Sequence, residues 1–559
     1  MRHILALPMA LAVLAGPAMA LDLRGPVLAA ASNFGQGAQP EMLDAALALP
    51  VRDFRDAVYW DRVEDAAGTF TFEGERDSFP DALALGGARM SLTVNFGHPA
   101  YDKGHTPLSD AAVRAFGRHA AEVVTRFPNI DAVEVGNEFN SANFVEGPLK
   151  DQDLDARAQA YARLLASVSG QVHAVRPDVR IIGGGVHSIP TGYLSRLTRR
   201  GAVGHMDAIA LHPYSTPVEH IARQVAVMRR DPALREMPVE ITEFGSQDPE
   251  AAPGVLMRGY CQMALAGVLR MAWYALNDRG DDYVPLIDAA GETTDAGRAF
   301  LFAQDELEGR AVVDASDDAF TYACLFAGRK LVIWGMPRDL RVMSDDVTVH
   351  DVRGNLLDGR GFRLSETEPL ILIAPDALVE GRDFALGPQE VLADSYHQFP
   401  YPPEDGDTAD CDGLHVHIAT PDAEVPMVLM PGQARPGTPW TPYLGIASDA
   451  SVRVQPDSLL PGGGKSFPVE IRHAFVAPED MRVSVEAHFD PASRSKDGVT
   501  VRITLDGVEQ IAFNSRERME FSRLAIPMAA GSRLEFAVGP NGNAKGDVTE
   551  FRITLRRAE

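Results

Sequence analysis

The sequence predicts a (β/α)8 barrel followed by two all-β lobes. Three observations carry this. Over residues 21–310, short apolar runs alternate with amphipathic helical stretches, the pattern of repeated βα units and a parallel sheet. From 311 to 380 the hydrophobic period falls to two, with glycine turns between runs, as in a small antiparallel sheet. Over 381–559 a period of two prevails again, at the length of a jelly-roll-like β-sandwich.

Eight strands are expected in the first region: PVLAAASNF (26–34), VRDFRDAVYW (51–60), ARMSLTVNFG (88–97), DAVEVGNE (131–138), VRIIGGGV (179–186), MDAIALHPY (206–214), MPVEITEFG (237–245) and RMAWYALND (270–278). Between them lie helical stretches such as 109–127, with Ser109 placed as an N-cap and apolar residues at three- and four-residue spacing. A doubly wound open sheet is the alternative, but it normally has fewer strands and a glycine-rich first turn, which this chain lacks. Gly183–Gly185 are glycine-rich, yet no phosphate-loop lysine follows, so they read as a tight strand exit.

In the second region, 319–335, 347–359 and 369–376 read as strands. In the third, 482–489, 498–507, 532–540 and 548–557 do, with Asp506-Gly507 at a hairpin turn. The Pro- and Asp-rich stretch 396–413 reads as a linker or long loop. Residues beyond about 400 are expected to fold apart from the barrel. Trp440, beside Tyr443 in GTPWTPY, reads either as a stacking platform or as a loop anchor. Asp497, Asp506 and Asp547 read either as acidic turns or as calcium ligands.

The first 20 residues have a basic tip, a short apolar run and Ala18-Met19-Ala20, the features of a secretory signal peptide cut after Ala20. A secreted or periplasmic protein is therefore expected, and no later run is long enough to span a membrane. The net charge of −26 disfavours nucleic acid as a partner. The three cysteines do not form a disulfide framework: Cys261 reads as a small core residue, and a Cys324–Cys411 bond is left open. No Cys/His cluster has zinc-ligand spacing, so neither metal nor cofactor is expected.

The chemistry concentrates in two strand ends. Glu138 ends the fourth strand and Glu243 the seventh, after the same syntax of apolar alternation, a polar residue and Glu. In a (β/α)8 barrel such ends open on the face that carries active sites. Strands four and seven lie across the barrel, so the two carboxylates converge over its mouth. Paired carboxylates are what glycosidic bond cleavage requires: one protonates the leaving oxygen while the other attacks the anomeric carbon or activates water.

VGNEFN and ITEFG resemble the acid/base and nucleophile motifs of clan A retaining glycoside hydrolases. FRDAVYWDRVEDAAGTFTF (54–72) and WYALND, leading into PLIDAAGETTDAGRAF, are similar to segments of glycoside hydrolase family 39 and its relatives. The resemblance implies that Glu138 is the general acid/base, its pKa raised by apolar surroundings and a nearby carboxylate, and that Glu243 is the nucleophile. It further implies that Arg55 bonds Glu243, that Asn137 bonds the sugar hydroxyl beside the reacting carbon, and that His212 and Tyr214 orient substrate or nucleophile. Trp273 would form the apolar floor under a pyranose. Asn95, His98 and Tyr101 are placed on a loop above the same mouth, and Trp60 reads as packing. The expected function is an exported, endo-acting hydrolase of a β-linked polysaccharide such as an exopolysaccharide. The alternatives are an exo-acting glycosidase on oligosaccharides and a non-catalytic glycan-binding protein on the same scaffold.

Overall fold

A computed structural model describes residues 23–37, 40–66, 68–402, 413–447 and 449–558. The expected signal peptide and Cys411 lie outside the described residues. Strands β1 (Val27–Ala31), β2 (Asp53–Asp56), β3 (Arg89–Val94), β4 (Ile130–Val135), β5 (Arg180–His187), β6 (Ala208–His212), β7 (Val239–Phe244) and β8 (Val268–Trp273) form a closed parallel barrel, with β8 pairing back onto β1. Helices follow the strands, among them Asp110–Arg126, capped by Ser109, and Leu154–Val175. No helix among the described residues is long and apolar enough to cross a membrane.

Strand parity sorts the barrel side chains into two sets. Phe54, Leu92, Val133, Ile181, Ile209, Ile241 and Met271 join the core shared with the helices. Their neighbours in sequence face the lumen, which is layered. An ionic floor contains Asp53, Arg270, Arg180 and Glu240, with Arg270 also bonding Ser91 Oγ at 2.7 Å. Ala132, Ile182, Ala208 and Ala210 form a small apolar layer. Above it lie Arg55, Glu134, Thr242 and His212.

The small lobe is two-layered. A five-stranded sheet runs in the order Thr348–His350, Leu370–Ile373, Lys330–Gly335, Thr321–Phe326, Val312–Asp314, and a three-stranded sheet is built on Asp339–Val342. It reaches Phe384–Leu386, past the expected boundary at 380. The terminal sandwich opens with Val391–Asp394, inside the expected 381–559, which pairs with the last strand, Thr549–Arg557. The Pro- and Asp-rich stretch 396–413 thus falls in sequence between two strands of this lobe, Val391–Asp394 and Leu414–Ala419. Its described part lies on the barrel: Arg223 donates to the carbonyls of His397 at 3.0 Å and Phe399 at 2.5 Å, and Gln224 Nε2 to Tyr401 Oη at 3.1 Å.

Cys324 pairs with Cys261 across a Cα separation of 6.0 Å, which corrects both cysteine expectations. The bond ties the barrel helix Ala252–Leu265 to strand Thr321–Phe326. A second tie is the buried carboxylate of Glu219, which accepts from Arg258 of the barrel, Trp334 Nε1 of the small lobe at 3.1 Å and Tyr396 Oη at 2.5 Å. The three aspartates of the terminal lobe do not form one site. Asp547 is buried against Ser495 Oγ at 2.6 Å, whereas Asp506 sits at the other end of strand Val499–Leu505, accepting from Arg533 N.

Candidate active site

Arg55, on the lumen face of β2, organises the barrel mouth. Its Nε donates to Glu134 at 2.5 Å, its Nη1 to Glu243 Oε1 at 2.7 Å and its Nη2 to Asn137 Oδ1 at 3.0 Å. Arg55 takes the oxygen of the Asn137 amide, so the NH2 end is the one available to a ligand. Tyr214 Oη donates to the other oxygen of Glu243 at 3.0 Å. The nucleophile candidate is thereby held by one cation and one hydroxyl, with each of its oxygens fixed.

Glu138 is placed by an unusual backbone. Gly136 has φ 78° and Glu138 itself φ 46°, a conformation that costs a residue with a Cβ of order 1–3 kcal/mol and is held only where surroundings over-determine it. The Glu138 N–H donates to the Gly185 carbonyl at 2.5 Å, and a Cβ on Gly185 would stand 3.0 Å from the Gly136 carbonyl oxygen. The glycine run at the exit of β5 is therefore what lets the Glu138 turn close against it. On β7 the register against β8 shifts between Ile241 and Phe244. Such a bulge re-aims a side chain: Thr242 and Glu243 both meet the mouth network, while Phe244 turns back against Trp273.

Glu134 and His187, which the sequence did not single out, complete the network together with the expected His212. Glu134 is fully buried and accepts from Arg55, Thr242 Oγ1 at 2.8 Å and Thr93 Oγ1 at 3.2 Å. His187 Nδ1 lies 3.2 Å from Glu138 Oε1, with Nε2 2.9 Å from Ser215 Oγ. His212 is shared: Nδ1 is 3.2 Å from Glu138 Oε1 and 3.7 Å from Glu243 Oε2, and Nε2 faces Glu134 at 3.3 Å and Thr242 Oγ1 at 2.9 Å.

These contacts fix the protons. Burial opposes charge on Glu138, but hydrogen bonds from His187 and His212 outweigh it and hold the carboxyl at about 2. That reverses the raised pKa expected from an apolar surround, because the surround contains two imidazoles. Burial also opposes charge on His212, yet the carboxylates of Glu243, Glu134 and Glu138 push it up to about 9. Near neutral pH the exchangeable proton of the cluster therefore sits on His212, one hydrogen bond from Glu138.

A pocket of about 170 Å3 opens beside Glu243, lined by Arg55, Asn95, Asn137, Tyr59, Tyr274 and Arg279 among others. Asn95 Oδ1 accepts from Asn137 N at 3.0 Å and so braces the Asn-Glu turn. Two sequence assignments move. His98 is buried away from the mouth, its Nε2 2.9 Å from the Glu64 carbonyl and its ring beside Trp60 and Tyr101. Trp60 and Tyr101 share that packed cluster, where Tyr101 donates to Glu64 at 2.9 Å. Trp273 is 0% exposed, packed edge-on against Phe244 on the helix side of β8. The ring that follows β8, Tyr274, does reach the pocket, with Arg279 stacked 4.6 Å over it.

The far side of the mouth is closed by the terminal lobe. Asn140 Nδ2 donates to Gln433 Oε1 at 2.9 Å, Gln433 Nε2 donates back to the Asn140 carbonyl at 2.8 Å, and Trp440 stands edge-on to His187 with ring centroids 5.0 Å apart. Glu138, His212 and Glu243 each present one atom within 4.8 Å of the others, a spacing a cation could bridge. Arg55, bonded to Glu243 at 2.7 Å, already places a positive charge there, which opposes a second cation at that position.

No protein-family profile matches the sequence, and no curated protein matches it. Solved structures do match in fold. A family 39 glycoside hydrolase from the gut symbiont Bacteroides cellulosilyticus WH2 aligns with a TM-score of 0.51 at 16% identity, over 64% of this chain and 82% of that one. A monomeric beta-xylosidase from Caulobacter crescentus CB15 aligns at 0.45 and 14% identity, over 64% and 98%. A family 86 beta-porphyranase from Bacteroides plebeius aligns at 0.42 and 11% identity, over 96% of both chains.

Proposed function

We propose that this protein is a retaining glycoside hydrolase that cleaves β-glycosidic bonds by double displacement. One observation carries the reading: carboxylate oxygens of Glu138 and Glu243 lie within 4.8 Å of each other at the mouth of the barrel. Inverting enzymes hold their carboxyl groups about 6.5–9.5 Å apart to admit a water between them, whereas retaining enzymes hold them at about 5–5.5 Å. The likeness to a family 39 hydrolase supports the scaffold.

In this reading Glu243, oriented by Arg55 and Tyr214, attacks the anomeric carbon of a sugar in the pocket. Glu138 passes a proton to the departing oxygen. Its own carboxyl is too acidic to hold that proton beforehand, so His212 supplies it across 3.2 Å. In the second half, Glu138 takes a proton from the attacking water and returns it to His212, while the oxygen of that water displaces Glu243 from the anomeric carbon with net retention of configuration.

The substrate we favour is an extended β-linked polysaccharide, cut internally. The Gln433 and Trp440 contacts place a second lobe at the mouth, where it would meet a chain longer than the pocket holds. Export is part of the proposal, supported by the leader-like first 20 residues and by the Cys261–Cys324 bond, since such bonds persist in oxidising compartments. The test is a panel of β-glucans, β-xylans, β-mannans and exopolysaccharides, with product length and anomeric configuration followed by NMR during the first turnovers. Shortened chains bearing new β-anomeric ends that Glu243→Ala does not produce would support the reading. New α-anomeric ends would replace it with an inverting mechanism, and no cleavage of any β-linked substrate would overturn it.

A further inference from the structure

We propose that Trp440, contributed by the terminal lobe, is the stacking platform for the sugar on the leaving-group side of the scissile bond. The inference rests on the hydrolase reading for the words "leaving-group side", and on geometry for the rest. The pocket is lined from the ends of β1 to β4 and β8 and by Glu243 of β7, and Glu138 is outside its lining. Glu138 faces instead the side formed by β5 and β6, through His187 and His212. A sugar whose anomeric carbon meets Glu243 in the pocket therefore sends its leaving oxygen past Glu138 toward His187. The next surface there is the indole of Trp440, edge-on to His187 at 5.0 Å.

The loop that carries Trp440 is fastened to the barrel, not merely near it. Gly192 N donates to the Gly432 carbonyl at 2.7 Å, Arg196 Nη2 to the Ala434 carbonyl at 2.7 Å, and Gln433 exchanges two bonds with Asn140. Gln433 takes φ 52°, so the loop is bent into this position at a local cost. The alternative role, a loop anchor, is already filled: Tyr443 is 1% exposed, while Trp440 is only half-buried. A partly exposed indole on a fastened loop beside the mouth is the kind of ring that receives the apolar face of a pyranose. The ligand class is a pyranosyl unit with mainly equatorial hydroxyls, whose ring face is flat and rich in C–H.

The experiment compares full-length parent, Trp440→Ala and Trp440→Phe on two substrates of one sugar: a β-glycosyl fluoride, whose leaving group is too small to reach the indole, and the corresponding β-linked hexaose. The platform predicts that the ratio of kcat/KM for hexaose over fluoride falls about tenfold or more in Trp440→Ala, and that Trp440→Phe recovers most of it. Equal losses on both substrates with a displaced pH profile would mean that Trp440 only supports His187, and would overturn the proposal. A second arm needs no turnover. In the Glu243→Gln background, binding of cellohexaose, xylohexaose, mannohexaose and laminarihexaose is measured by calorimetry with and without Trp440→Ala. Weakened binding by a protein that cleaves none of them would sink the hydrolase reading and leave the platform standing. Unchanged binding, or no binding of any hexaose, would sink the platform.

Discussion

Arg55 and Glu134 meet at 2.5 Å inside the barrel, with side-chain exposures of 8% and 0%. A buried ion pair gains little over an apolar pair, but removal of one partner leaves the other charge stranded at a cost of about 3–5 kcal/mol. This pair has a further task, because the same guanidinium fixes Glu243 and Asn137. Glu134→Gln is expected to lower unfolding stability by about 3 kcal/mol and kcat/KM by about a hundredfold, as Arg55 loses its orientation. Chemical denaturation and steady-state kinetics read the two effects. A stable and fully active variant would remove Glu134 from the site.

The two mouth carboxylates are expected to fail differently. Glu243→Ala loses all turnover, since no glycosyl-enzyme forms. Glu138→Ala still reacts with an activated aryl glycoside, whose leaving group needs no proton, and then stalls for lack of a base. Azide should restore Glu138→Ala with a retained glycosyl azide and Glu243→Ala with an inverted one. The opposite pattern, read by NMR of the products, would exchange the roles.

The His212 imidazolium sets a pH limit. Its folded-state pKa, about 9, exceeds the ordinary value of 6.5. The stability it confers is therefore complete below pH 6.5 and lost as pH rises through 9, by about 3 kcal/mol in all. Activity that draws on its proton should decline over the same alkaline interval. Glu138 acts at the other end, its contribution present above 4.5 and lost as pH falls through about 2. Melting temperature and kcat/KM measured from pH 5 to 10, for the parent and for His212→Asn, test this. An alkaline limb near 9 that survives in His212→Asn would refute it.

The Cys261–Cys324 bond closes a long loop between barrel and small lobe. Its loss in a Cys261→Ser, Cys324→Ser double variant is expected to cost about 2–4 kcal/mol, seen as a lower denaturation midpoint in the absence of reductant. The parent in reductant should converge on the variant. No difference between oxidised and reduced parent would mean that the bond does not form.

Tyr396→Phe removes one donor from buried Glu219 while Arg258 and Trp334 remain. A cost of about 1–3 kcal/mol follows from leaving a carboxylate oxygen short of a partner. Thermal unfolding measures it, and a neutral outcome would show that water reaches Glu219.

The barrel was legible because each strand carried its alternation into a polar end, which located both Glu138 and Glu243. The same alternation, followed residue by residue, explains Trp273: it shares parity with Met271, which faces the helices, so it could not reach the lumen. Glu134 lies on the lumen face of β4, just before the turn that carries Glu138, but a single acidic residue within a strand gives no sign of burial until Arg55 is seen opposite. His187 follows the glycine run of β5, and the sequence does not show that this run folds against the Glu138 turn. The sequence also holds no trace of Cys261 choosing Cys324, nor of Gln433 finding Asn140. Contacts between lobes have no period to read.

The Gln433–Asn140 and Trp440–His187 contacts bear on how such a protein can diversify. A lobe that merely hangs from a barrel can be exchanged like a cassette, and the two parts then accumulate changes independently. Here any replacement would have to bring along a loop of matching length, a bend where Gln433 sits and a ring where Trp440 stands. Substitutions on β4 and β5 are correspondingly constrained by residues about 300 positions downstream. Inheritance of the three lobes as a single unit, rather than by recombination at the seam, is the course that architecture favours.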